Sequence, residues 1–253
     1  MTDLTAPAVL FAAWLAVAAL VFVVLLFLPA PYGRHARGGW GPTLAARSGW
    51  ILMEIPAVVV VALLFAASGR TREPAAIAFL VLWELHYVQR ALVYPFWARP
   101  SAHGMPLAIA GMGFLFNLVN GALQGSALFR VTPPYGAGWL GDPRFLAGTA
   151  LFLGGMAINW SADASLRRLR RPGAPDYSVP RGGLFEWVSC PNYLGEILEW
   201  SGWAIATWSV AGLAFAVWTA ANLVPRALAH HRWYRERFPD YPDRRRAIVP
   251  FVL

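Results

Sequence analysis

Long uninterrupted apolar runs, each on the scale of a lipid bilayer, decide what this chain can fold into. Ala8–Pro29 is nearly continuous hydrocarbon, and Trp50–Ala67, Ala75–Phe96, Leu107–Phe129 and Phe145–Ala162 are each about as long as a membrane crossing. At about 1.5 Å of rise per residue, roughly 20 apolar residues cross a hydrocarbon layer about 30 Å thick. Tyr193–His230 is about twice that length and breaks only around Trp208–Gly212, which reads as two helices joined by a tight turn. Seven spans result. Inside lipid every backbone N–H and C=O has to be bonded within the protein, and helices do this locally. The expected fold is therefore all-α and polytopic, with seven transmembrane helices in one bundle and one domain over 1–253. The first run exceeds the apolar region of a secretory leader and has no basic residues before it, so it is read as a retained helix.

Charge then orients the spans. All 21 basic residues are Arg, as in a protein from a GC-rich genome, and they fall on alternate loops. Arg34, Arg37 and Arg47 lie in 31–48, Arg99 follows the third span, and Arg167, Arg168, Arg170, Arg171 and Arg181 lie in 166–190. Seven more lie from Arg226 onward, whereas the opposite loops hold Arg70, Arg72, Arg130 and Arg144. With the basic side inside, the N-terminus is outside and the C-terminus cytoplasmic, which requires an odd number of spans. The membrane is read as a bacterial inner membrane. Positive-inside placement accounts for the net charge of +8 without any nucleic-acid partner. The single Cys190 excludes an internal disulfide. The 166–190 connection, rich in Pro and Gly, reads as too irregular for a helix.

Polar residues inside the spans mark where chemistry belongs, because an ionisable group at a helix centre costs roughly 3 kcal/mol or more. Glu54 stands alone in the second span; Glu84, Tyr87, Arg90 and Tyr94 share one face of the third. Asn117, Asn120 and Gln124 line the fourth and read as interhelical glue, and Glu84 reads as the neutraliser of a basic neighbour. Asn159, Asp163 and Arg167 follow in the fifth, Asn192 and Glu196 in the sixth, and Asn222, Arg226, His230 and Tyr234 in the last. The histidines have no carboxylates at ligand spacing, so no metal is expected. Gly-x-Gly-x-x-Gly after a strand, the Walker loop and Gly-x-Ser-x-Gly are all absent from the sequence.

The local strings carry a resemblance. His86–Tyr87 with Arg90 and Tyr94, Gly121–Gly125, Gly155–Asn159 with Asp163, Leu166–Arg170 with Pro172–Gly173, Gly182–Phe185, and Asn192–Glu196 with Glu199–Trp200 resemble steroid 5α-reductases. The tail, with His230–Tyr234, Phe238, Asp240–Pro242 and Ala247–Phe251, is similar to that family's C-terminal signature. The resemblance implies NADPH-dependent reduction of the C4=C5 bond of a 3-oxo-Δ4 steroid, with hydride delivered to C5 and a proton to C4. It assigns Tyr87 as the catalytic phenol and Glu54 as its acidic partner, the latter in its protonated form, both on the C3 oxygen. For NADPH it assigns Asn159, Asp163, Arg170, Tyr177, Asn192, Glu196, Arg226, His230 and Tyr234, with Arg90 and Arg99 as further phosphate candidates. Most of that cofactor site falls in about 145–253. Ser178 stands where eukaryotic relatives often carry a basic residue, and the loop after Tyr94 is shorter than in some of them.

The implied partners are a lipophilic steroid-like enone and membrane lipid, with no obligate protein partner. A polyprenyl or sterol-like ketone is the other substrate class open to such a pocket. Two rival functions have their own signatures. A membrane methyltransferase of the isoprenylcysteine carboxyl type would bind S-adenosylmethionine and would not need Glu54 and Tyr87 on one pocket. A transporter relaying protons through buried carboxylates would carry inverted repeats or matched broken helices, which the sequence lacks.

Overall fold

The computed structural model describes residues 5–97, 104–136, 138–169 and 177–253. Seven long helices account for most of them: α1 (Thr5–Phe27), α2 (Ala46–Ala66), α3 (Pro74–Val88), α4 (Leu107–Ser126), α5 (Pro143–Leu169), α6 (Pro191–Thr207) and α7 (Val210–Arg237). Six of these, all but α6, are long and apolar enough among the described residues to cross a membrane, α3 being counted through Trp97 and α4 through Val131. Helix α6 has 17 residues, just short of that length. The expected count of seven is thus matched in helices and supported in six crossings. Helix α3 continues through a π turn at Gln89–Val93 into a last helical turn at Tyr94–Trp97, and α4 continues into a π turn at Ala127–Val131.

Two details differ from the expectation. Thr43–Leu44 (β1) and Met105–Pro106 (β2) pair as a short antiparallel ladder, so the fold is not wholly helical. Helix α5 extends to Leu169, past the Leu166 at which the loop was expected to begin. Beyond it, the described part of that connection holds a 3₁₀ turn at Gly183–Glu186 and no α-helix. The sixth and seventh helices meet where the sequence breaks: Trp208 adopts a left-handed conformation (φ 45°), and Ser209 caps α7 by accepting from the Gly212 N–H at 3.0 Å.

The chain forms two compact units, one of Met1–Pro29 with Ala147–Leu253 and one of Ala30–Leu146. In the first, α1 is apolar all round and largely exposed, as a lipid-facing rod should be. It packs on α7 through the Trp218 indole, which donates to the Trp14 carbonyl at 2.9 Å, and through Arg232 against the Leu26 carbonyl at 3.5 Å. These contacts advance together along both helices, so α1 and α7 run parallel. Helices α5 and α6 are antiparallel and pack at backbone contact. A Cβ on Gly195 would stand 2.6 Å from the Asn159 nitrogen, and one on Gly155 would land on the Glu199 nitrogen. Gly148 and Gly202 repeat the arrangement two turns away, an instance of the small-residue packing common between membrane helices. The C-terminal tail closes this unit: Ala247 and Ile248 pack with Cys190, Tyr193, Leu223 and Ala227. Backbone bonds from Ser189 and Cys190 to Arg246 and Ala247 hold it there.

In the second unit, α2 is the shared wall. It runs antiparallel to α3 and parallel to α4, whose Gly121 lies 3.5 Å (as an added Cβ) from Val60 and whose Gly125 meets Leu64. Arg70, just past α2, ties the far end of α4 by donating to the carbonyls of Leu128 (2.8 Å) and Thr132 (2.6 Å).

Candidate functional site

In the unit of Ala30–Leu146, two indole hydrogen bonds fix the register of α2 against α3. The Trp50 N–H donates to the Arg90 carbonyl at 3.0 Å, and the Trp83 N–H donates to the Ala57 carbonyl at 2.9 Å. Trp50 and Ala57 are seven residues apart on α2, and Trp83 and Arg90 are seven apart across α3 and its π turn. Seven residues are about two helical turns. Glu54 and Tyr87 lie midway between these two rungs, so the antiparallel pair sets them at one height. Both are buried, with Glu54 9% exposed and Tyr87 3%. The Tyr87 ring packs against Trp83 (4.7 Å between centroids) and His86 (4.8 Å), which restrict its rotation.

A third residue reaches this pair. Asn117 on α4 donates from Nδ2 to Glu54 Oε2 at 3.1 Å and to the Met53 carbonyl at 2.8 Å. Pro56 has no N–H to give to the preceding turn, so α2 is locally short of a donor beside these groups. Asn117 does join two helices, as the sequence reading expected of it, but the group it holds is the candidate catalytic carboxylate. Spacing along one helix could not reveal that; only the α2–α4 register does. Glu84 differs from expectation in the other direction: it makes no ion pair among the described residues, and its Oε1 is buried without a hydrogen-bond partner. At the end of α3 the Arg90 guanidinium lies between the rings of Trp50 (4.8 Å) and Tyr94 (4.9 Å). The π turn that begins at Gln89 gives the irregular backbone typical of functional positions in helices.

The other unit gathers the remaining candidates. Asn159 donates to the Asn192 carbonyl at 3.0 Å, and the Asn192 amide donates to Asp163 Oδ1 at 3.2 Å. Glu196, half-buried, lies one turn beyond Asn192 on the same face of α6. The glycine contact between α5 and α6 is what lets such short side chains meet. On α7, Arg226 lies over the Tyr193 ring (5.4 Å) and donates to Asn222 Oδ1 at 3.1 Å. One turn on, His230 Nε2 is 3.1 Å from the Tyr193 hydroxyl. Tyr234 stacks on Tyr241 at 5.3 Å, and Tyr177 packs edge-on against Trp233 at 5.1 Å. Arg99 and Arg170 lie outside the described residues.

Sequence reasoning missed the layer beneath these groups. Ser189 Oγ is 2.6 Å from His231 Nδ1 and 2.7 Å from the Tyr241 hydroxyl, so it links the α6 entry to α7 and the tail. Glu186 accepts from the Gly182 N–H at 2.7 Å and faces Arg244 (3.5 Å) and the buried Arg245 (3.9 Å). The Gly182 N–H bond holds its carboxyl below the usual range, with the two guanidinium charges adding to it against some desolvation. The sequence signals for this layer were the Gly182–Phe185 string and the tail motif.

The pattern of the 3-oxo-5-alpha-steroid 4-dehydrogenase family matches residues 103–253. The chain is 44% identical over 237 residues to the cattle (Bos taurus) 3-oxo-5-alpha-steroid 4-dehydrogenase 1, covering 92% of this chain and 91% of that one. It is 42% identical over 236 residues to the steroid 5-alpha-reductase of Arabidopsis thaliana, covering 91% and 90%. Against the human 3-oxo-5-alpha-steroid 4-dehydrogenase 1 it is 42% identical over 224 residues, covering 88% and 86%.

Proposed function

The chain belongs to the steroid 5-alpha-reductase (3-oxo-5-alpha-steroid 4-dehydrogenase) family of oxidoreductases, and on that footing we propose that it reduces the C4=C5 double bond of a 3-oxo-Δ4 steroid with NADPH. The observation that carries this reading is the single height at which the two indole rungs set Glu54 and Tyr87. An enone takes hydride at its β-carbon only when the developing enolate oxygen is stabilised. A phenol and a protonated carboxylic acid, fixed in a dry interior, are such donors, and each preorganised donor is worth about 3–4 kcal/mol. In this mechanism the Tyr87 hydroxyl and the Glu54 carboxyl hold the C3 oxygen. Trp83 and His86 fix the phenol, and Asn117 fixes the carboxyl. Surrounding apolar helices exclude water and hold the rings.

The donor set of the other unit fits a phosphorylated dinucleotide. Asn159, Asp163, Asn192 and Glu196 offer the amides and carboxylates that suit a carboxamide and ribose hydroxyls. Arg226 offers a guanidinium group that suits the pyrophosphate or 2′-phosphate, and the family resemblance adds Arg170, Arg90 and Arg99 as candidates. His230, Tyr234 and Tyr177 complete the wall. Bound NADPH would supply the hydride that reaches C5.

The chain in this reading is one reductase domain with seven crossings, the short α6 included. Parallel α1 and α7 support this, because the first and last rods of an odd number of crossings point the same way. Arginine placement then puts the N-terminus outside and the tail in the cytoplasm, in a bacterial inner membrane. The test is incubation of the purified protein with NADPH and testosterone or progesterone, followed by product identification. The expected products are the 5α-dihydro steroids; S-adenosylmethionine binding without NADPH binding would overturn the proposal.

A further inference from the structure

The fully buried Asn120 was expected to join helices as glue, yet neither its amide nitrogen nor its amide oxygen has a hydrogen-bond partner among the described residues. It lies three residues after Asn117 on α4, about 4.5 Å further along the helix axis and on the same side. The α2–α4 register, with Asn117 at Met53 and Gly121 at Val60 and Val61, puts Asn120 near the height of Ala57. That is also the height at which α3 is pinned by Trp83, and where Glu84 Oε1 is buried without a hydrogen-bond partner among the described residues. One turn beyond the Glu54 anchor, then, the helix interior offers a donor and an acceptor on one amide, with a carboxylate oxygen at the same height.

A primary amide with both ends open is complemented best by a single O–H, whose oxygen accepts from the NH₂ while its hydrogen goes to the carbonyl. We propose that Asn120 is the specificity-determining contact for such a hydroxyl, held one turn from the ketone anchor. The hydroxyl comes either from the lipophilic ligand or from an ordered water lodged beside it. A ketone oxygen would fill only the donor side, and an apolar group would fill neither. The proposal rests on the steroid reductase reading for what the ligand is, but the polar site stands on the fold of this unit alone.

The test replaces Asn120 with Leu, which keeps the branched outline and removes the amide, in the full-length protein in detergent. Binding of 19-hydroxyandrost-4-ene-3,17-dione, whose hydroxyl lies at the ketone end of the rings, is compared with that of androst-4-ene-3,17-dione, which has none, and thermal unfolding is followed without ligand. A ligand hydroxyl as the source predicts about tenfold weaker binding of the 19-hydroxy steroid alone and a more stable ligand-free protein. An ordered water as the source predicts weaker binding of both steroids by a similar factor and no gain in stability. Unchanged binding of both steroids by Asn120→Leu would overturn the proposal. Should the wild type bind neither steroid, the reductase reading fails separately, and unfolding decides the polar site. A stabilised Asn120→Leu variant then overturns it, and an unstabilised one supports the water.

Discussion

Asn117 Nδ2 lies 3.1 Å from Glu54 Oε2 and donates to it across the α2–α4 packing, which makes the carboxyl orientation a property of two helices rather than one. A side chain that acts through Glu54 should matter only while Glu54 can act. Asn117→Leu is expected to lower kcat about tenfold, the scale of one lost buried hydrogen bond, while the steroid KM changes less. In a Glu54→Gln background the same substitution should cost little, because the two residues form one unit. Steady-state rates of the single and double variants check this. Additive losses would mean that Asn117 serves packing alone.

The catalytic pair itself makes a stronger prediction. Tyr87→Phe and Glu54→Gln each remove one donor from the enolate oxygen, so each is expected to lower kcat by about 10²–10³. Helical content and NADPH affinity should be unchanged, since the cofactor candidates Asn159, Asn192 and Asp163 hydrogen-bond among themselves. Circular dichroism and cofactor titration separate this outcome from misfolding. Wild-type rates in both variants would remove the pair from the mechanism.

What the sequence disclosed, and what it hid, follows from the range of each signal. Apolar runs are local, so the helices were legible to within a few residues, down to the break at Trp208. The stripes Asn159–Asp163 and Arg226–His230–Tyr234 were legible because period alone puts residues on one face. Register between helices is not local. Nothing in the strings around Trp50 and Trp83 says that their indoles reach Arg90 and Ala57. Asn117 and Asn120 look alike on a helical wheel, yet one holds Glu54 and the other has no hydrogen-bond partner among the described residues. Glu84 was expected to pair with a base because a charge in lipid calls for one; which neighbour it would meet depends on packing that its own helix does not specify.

Gly155 and Gly154 are adjacent in sequence and opposite in consequence. A Cβ on Gly155 would run into the α6 backbone at Glu199 and Gly195, whereas one on Gly154 meets nothing within 4 Å. Gly155→Val is expected to destabilise the protein by about 3 kcal/mol or more, above the usual 1–3 kcal/mol of overpacking, because backbone cannot move aside as a side chain does. It should also weaken NADPH binding, by parting Asn159 from Asn192. Gly154→Ala is expected to be neutral or to stabilise by up to about 1 kcal/mol through helix propensity. Thermal unfolding and NADPH titration of the two variants give the contrast, and equal effects would refute the close-contact account.

Glu186 sets how the tail responds to acid. Its carboxylate accepts from the Gly182 N–H at 2.7 Å and faces Arg245 and Arg244, so its folded-state titration lies below that of an unfolded glutamate. A carboxyl lowered in this way adds stability that is fully present above the unfolded value, about 4.3, and is lost as pH falls through the folded value. The side chain is 34% exposed, so salt screens the guanidinium part and leaves the N–H part. The wild type should therefore unfold at higher temperature than Glu186→Gln at neutral pH, and the gap should close as pH is lowered through the acidic range below about 4. High salt should narrow the gap at neutral pH without abolishing it, because the Gly182 bond is short-range. Thermal scans of both proteins across pH in one detergent measure the gap directly, and a gap independent of pH would show that the charge on Glu186 does not hold the tail.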